Sequence, residues 1–87
     1  MNNTIIIDVG GWIGVALLLI AYAFVSTRRL AGDSTVYQLL NVAGSVLLII
    51  NSFFYGAYPS VGINIAWIAI ALYALLWKKY SIKTNSV

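Results

Sequence analysis

The chain has 87 residues, of which 62% are hydrophobic and only 8% charged, and it carries a net charge of +3. A soluble domain of this size cannot wrap that much apolar surface, so the composition is that of a membrane protein. Cysteine and histidine are both absent, which excludes disulfides, thiolate or imidazole metal sites and a cysteine nucleophile.

At the N-terminus, "MNNTIIID" has no Lys or Arg ahead of its apolar run and carries Asp8. A cleavable signal peptide is therefore not expected. Three apolar stretches follow, at residues 9–25, 36–55 and 61–77, each about as long as a helix must be to cross ~30 Å of hydrocarbon. The reading is a single transmembrane domain over residues 1–87, with helices at about 9–27, 35–56 and 60–78. The fold class is all-α, a three-helix transmembrane bundle. Gly10 and Gly14 form a small-xxx-small pair that lets the first helix pack closely on a neighbour. In the connection after it, Gly32, Asp33 and Ser34 read as a turn, with Ser34 or Thr35 as the N-cap of the second helix. The polar tail "SIKTNSV" reads as frayed.

Asp8 and Asp33 are the two carboxylates, and both fall at expected helix ends. They form no general acid–base pair and no ligand cluster, so no enzymatic activity, metal or cofactor is expected. With no carboxylate inside the spans, passive movement of an uncharged solute is favoured over proton coupling.

The five basic residues are Arg28 and Arg29 after the first helix and Lys78, Lys79 and Lys83 after the third. The positive-inside rule then predicts an external N-terminus and a cytoplasmic C-terminus in a plasma membrane, the bacterial inner membrane. Trp12, Tyr58, Trp77 and Tyr80 read as interfacial anchors. Binding of nucleic acid through these charges is not expected, because orientation accounts for them.

Polar residues inside the spans cluster when placed at 100° per residue. In the second helix Gln38, Asn41, Ser45 and Ser52 share one arc, flanked by Tyr37, Gly44, Asn51 and Tyr55. In the third, Ser60, Asn64, Trp67, Ala71 and Ala74 form a stripe; the first offers Gly11, Val15, Leu18, Tyr22 and Ser26. Three inward faces are expected to converge. Singly, such residues commonly serve as interhelical glue at about 0.6 kcal/mol each. Together they suggest a hydrated hollow, and since three helices cannot enclose a path for a solute, a second copy would supply the other wall. A parallel homodimer in the lipid bilayer follows.

A tyrosine-glycine pair closing the second helix ("FFYG", 53–56) and Pro59 followed five positions later by Asn64 complete a pattern that resembles the SemiSWEET transporters of the PQ-loop superfamily. The resemblance covers residues 10–80 and is divergent: Phe24 and Val25 stand where the family carries its proline and glutamine, and Ser52 where it carries a tryptophan. It implies a dimer that passes sugars by facilitated diffusion with alternating access. It also implies Asn64 as the polar substrate contact and Tyr55 as an aromatic at the outer gate. Asn41 and Ser52 join Asn64 as expected substrate contacts, Trp67 is expected to stack on the solute in place of the absent tryptophan, and Tyr22 is expected to act with Tyr55 as a gate. The alternative is a non-transporting accessory or scaffold protein of PQ-loop-like fold, whose polar stripes only hold helices together.

Overall fold

The computed structural model describes the backbone of residues 3–85 and the side chains of residues 4–79; the side chains of Tyr80 and Lys83, an expected anchor and an expected orientation charge, lie outside the described set. Three helices follow one another: α1 (Asn3–Ser26), α2 (Thr35–Phe54) and α3 (Tyr58–Asn85). Each contains a segment long and apolar enough to cross a membrane, at Thr4–Ser26, Thr35–Phe54 and Tyr58–Lys79. The protein is all-helical, and its spans are those of a membrane protein.

Helix α1 starts at Asn3, well before residue 9, because Thr4–Ile5–Ile6–Ile7 extends the apolar run and a single aspartate costs a helix only a fraction of 1 kcal/mol. Asp8 therefore sits in the second turn of α1, within the span Thr4–Ser26. This corrects the expectation that no carboxylate lies inside a span. At the other end of α1 the Arg29 N–H reaches the Phe24 carbonyl at 2.9 Å and the Arg28 N–H the Val25 carbonyl at 3.2 Å. These paired bonds form a Schellman motif, which places Arg28 in the left-handed region at φ 62°.

Ser34 caps α2, its hydroxyl accepting from the Tyr37 N–H at 3.0 Å. A second Schellman motif ends α2: the Ala57 N–H bonds the Ser52 carbonyl at 2.8 Å and the Gly56 N–H the Phe53 carbonyl at 3.1 Å. Here glycine supplies the positive φ, 72°, without steric cost. Helix α3 begins immediately, and Pro59 in its first turn costs no hydrogen bond because the first N–H groups of a helix have no intrahelical acceptor. With no Gly or Pro between Ile63 and Asn85, nothing stops α3 near residue 78. It runs to Asn85, so the expected frayed tail is helical to that point.

What is buried is small or polar. Ala21 (0% exposed) and Ala71 (1%) are the buried apolar residues among those described, joined by Gln38, Ser45, Ser52 and Asn64. Ile20, Ile63, Leu76 and Trp77 face outward. This inversion of a soluble core is what helices need when lipid, not water, surrounds them: small residues allow backbones to approach, and apolar ones meet the acyl chains.

Among the described residues α2 packs on both α1 and α3, while the backbones of α1 and α3 stay apart from each other. The α1–α2 seam is set by glycine. A Cβ on Gly14 would stand 2.8 Å from the Gly44 carbonyl oxygen, and one on Gly44 would stand 2.9 Å from that of Gly14. Backbones so close leave no room for any side chain at the crossing.

Candidate functional site

Around α2, the residues meeting α1 (Gly44, Leu47 and Asn51) and the residue bonded to α3 (Ser52) lie roughly 100° apart at 100° per residue. Helices packed at 8–10 Å on those two directions put the axes of α1 and α3 about 14 Å apart. Helices some 10 Å across cannot close that distance. A furrow therefore runs along the molecule, with α2 as its floor and α1 and α3 as its walls.

Two hollows lie along this face of α2, the first between all three helices and the second between α1 and α2 alone. One, of about 290 Å³, is lined by Leu18, Leu19 and Tyr22 from α1, Tyr37 and Asn41 from α2, and Trp67 from α3. The other, of about 280 Å³, is lined by Asp8, Gly11, Trp12, Val15, Leu48, Asn51 and Tyr55. On α2 the lining residues recur with Gly44 at spacings of 4, 3, 4, 3 and 4 from Tyr37 to Tyr55, which keeps them on one helix face. The α1 residues from Asp8 to Tyr22 follow the same rule. Both hollows thus open on the same side, end to end, and the Asp8 end is opposite the end that carries Arg28, Arg29, Lys78 and Lys79.

The six residues singled out from the sequence separate into three groups. Tyr22, Asn41 and Trp67 come together in the first hollow. Tyr55 lines the second, where its hydroxyl donates a hydrogen bond to an Asp8 carboxylate oxygen. Asn64 and Ser52 lie instead in the α2–α3 seam, 5% and 6% exposed. There Asn64 Nδ2 donates to the Ser60 carbonyl at 2.9 Å, and Ser52 Oγ donates to Ser60 Oγ at 2.9 Å. The Ser52–Ser60 bond fastens α2 to α3, the Asn64 bond stays within α3, and neither Asn64 nor Ser52 lines the hollows described.

Other amides are also committed. Gln38 donates to the Gly32 carbonyl at 2.8 Å and ties the first loop to α2. Asn51 donates across the α1–α2 seam to the Ile7 carbonyl at 3.1 Å. Asn41 donates to the Tyr37 carbonyl one turn back at 3.0 Å, keeping a second N–H and its carbonyl oxygen for a ligand. Tyr55, outside the span, has its ionisation pushed above the ordinary phenol value by the Asp8 hydrogen bond first, then by desolvation and the Asp8 charge.

Two members of this arrangement were not among the expected site residues. Tyr37 was placed on the flank of the polar arc, and shares its 4–3 spacing with Asn41 and Tyr55. Asp8 was assigned to a helix end because a charge beside an apolar run reads as a boundary. Among the described residues no group of three His, Cys, Asp or Glu side chains stands ready to hold a metal ion.

No curated protein and no solved structure matches the chain. A protein-family model to which no function is attached matches residues 7–81, a range that includes every residue lining the two hollows, and the chain belongs to that family.

Proposed function

We propose that this protein is a small membrane carrier, in which the furrow over α2 is one half of a path for a polar solute and a second, parallel copy supplies the other half. The observation that carries this reading is the meeting of Tyr22, Asn41 and Trp67, one residue from each helix, in one open hollow. Two aromatic rings and an amide suit a ring-bearing polar molecule: the rings stack on its faces and the amide bonds its hydroxyls. Trp67 and Tyr22 are 52% and 67% exposed, and a facing copy would cover them. The resemblance to SemiSWEET proteins in the Tyr55–Gly56 pair supports the same reading, with the Asp8 end of the furrow outward and the basic end cytoplasmic. A sugar remains the first solute to try. Asp8 lies within the first span, so a solute carrying a positive charge is as admissible as a neutral one.

A second reading has its own observation. Ser52 bonds Ser60 across the α2–α3 seam and Asn64 is satisfied by Ser60 within α3, as they would be in a scaffold whose polar stripes serve only as glue.

Uptake into liposomes of a panel of neutral and charged polar solutes, compared between wild type and Trp67→Ala, separates the two. A carrier loses severalfold to about tenfold in rate with the fold intact, as expected when about 0.5–1.5 kcal/mol of stacking energy is removed. A scaffold moves no solute in either form.

A further inference from the structure

At the Asp8 end of the molecule, a carboxylate stands beside aromatic rings with no cationic side chain next to it among the described residues. Asp8 begins about 6 Å inside the span, counted from Thr4 at 1.5 Å per residue. Every basic residue follows α1 or the apolar part of α3 at the opposite end, and Arg28 alone is some 30 Å away along the helix. The Asp8 partner is the Tyr55 hydroxyl, which donates one hydrogen and neutralises nothing. A carboxylate near the end of a span carries less cost than one at its centre, and what cost it has falls when a cation sits beside it.

The walls decide which cation. Inorganic divalent ions demand six or more oxygen ligands, or a rigid octahedron of them, whereas this hollow offers one carboxylate, one phenol and one amide oxygen, that of Asn51, whose Nδ2 is held by the Ile7 carbonyl. Trp12, 75% exposed, and Tyr55, 51% exposed, contribute ring surface instead. Indole and phenol faces attract alkylated ammonium groups, which carry their charge on a weakly hydrated, apolar shell. About 280 Å³ is ample for a head group of four or five heavy atoms.

We propose that the hollow formed by Asp8, Trp12 and Tyr55 is a binding site for an alkylammonium ion, with Asp8 as counter-ion and the two rings as walls. The site stands apart from passage through the furrow: the ion binds at the mouth whether or not anything crosses. If solutes do cross, the mouth favours those bearing an amine.

The test uses the full chain in lipid nanodiscs and follows the methyl proton resonance of tetramethylammonium by saturation transfer, with tert-butanol as a neutral probe of similar size. Saturable binding of tetramethylammonium, absent for tert-butanol, is expected. Asp8→Asn should weaken it at least tenfold, Asp8→Glu should keep it within about threefold, and Trp12→Leu should weaken it severalfold. Asn41→Ala and Trp67→Leu, in the other hollow, should leave it unchanged, so loss of transport in those variants and loss of ion binding are separate results. Equal binding by tert-butanol, undiminished binding in Asp8→Asn, or no saturable signal from wild type would each overturn the proposal.

Discussion

Asn51 on α2 donates to the Ile7 carbonyl of α1 at 3.1 Å, and it does so through the gap that a glycine leaves. A Cβ on Gly11 would stand 2.5 Å from Asn51 Nδ2 and 3.2 Å from Asn51 Cβ. The amide therefore occupies the space where a side chain would otherwise be. Gly11→Ala and Asn51→Ala should each destabilise the α1–α2 pair, by roughly 1 kcal/mol for the lost interhelical bond. Because either change breaks the same bond, the double variant should cost clearly less than the sum. Thermal unfolding in detergent of the four members of the cycle measures this coupling; strict additivity would show that the two residues act independently.

Two glycines of similar sequence context should behave in opposite ways. A methyl at Gly44 would press on the Gly14 carbonyl oxygen and on Leu18 Cγ, each at 2.9 Å, whereas at Gly62 nothing lies within 4 Å. Gly44→Ala should cost about 1–3 kcal/mol by forcing two backbones apart. Gly62→Ala in α3 should instead be neutral or stabilise by up to about 1 kcal/mol through helix propensity. Equal sensitivity at the two positions would mean that α1 does not cross α2 at Gly44.

Arg28 holds a left-handed backbone, φ 62°, where a residue with a Cβ costs about 1–2 kcal/mol more than glycine. Arg28→Gly should accordingly stabilise the folded protein by about 1 kcal/mol. It also removes a positive charge from the first loop, so a reporter fused at the C-terminus should show a larger minority of inverted molecules.

The Tyr55–Asp8 contact has a pH signature. The ionisation of Tyr55 is raised by the Asp8 hydrogen bond, with desolvation and the Asp8 charge adding to it. Its contribution to stability is therefore complete below the ordinary phenol value of about 10 and disappears as pH rises through the elevated folded value. Phenolate absorbance near 295 nm should show a tyrosine titrating later than it does in Asp8→Asn. Superimposable titrations of the two proteins would contradict the contact.

Length and composition made the three spans legible, because about twenty apolar residues in a row have few alternatives. The Ser34 cap and the glycine turn at Gly56 were also open to reading, being local chemistry. Helix pairing was not. Helical periodicity grouped Gln38, Asn41, Ser45 and Ser52 on one arc, but whether that arc faces a cavity or a neighbour depends on where α1 and α3 pack. In the folded chain Asn41 faces the furrow, whereas Ser52 is clasped to Ser60 of α3. Asn64 shows the same limit. A buried amide in a membrane helix requires a partner, and the sequence does not reveal that Ser60, one turn away, already provides it.

That the furrow is open to water within the membrane is the claim on which both the carrier and the ion site depend. Since the chain has no cysteine, single replacements report cleanly. In proteoliposomes, a small hydrophilic methanethiosulfonate should modify Asn41→Cys at least ten times faster than Leu72→Cys on the outward face of α3 or Asn64→Cys in the seam. Slow, equal labelling at all three positions would contradict the account, because Asn41 would then face lipid or a sealed interface.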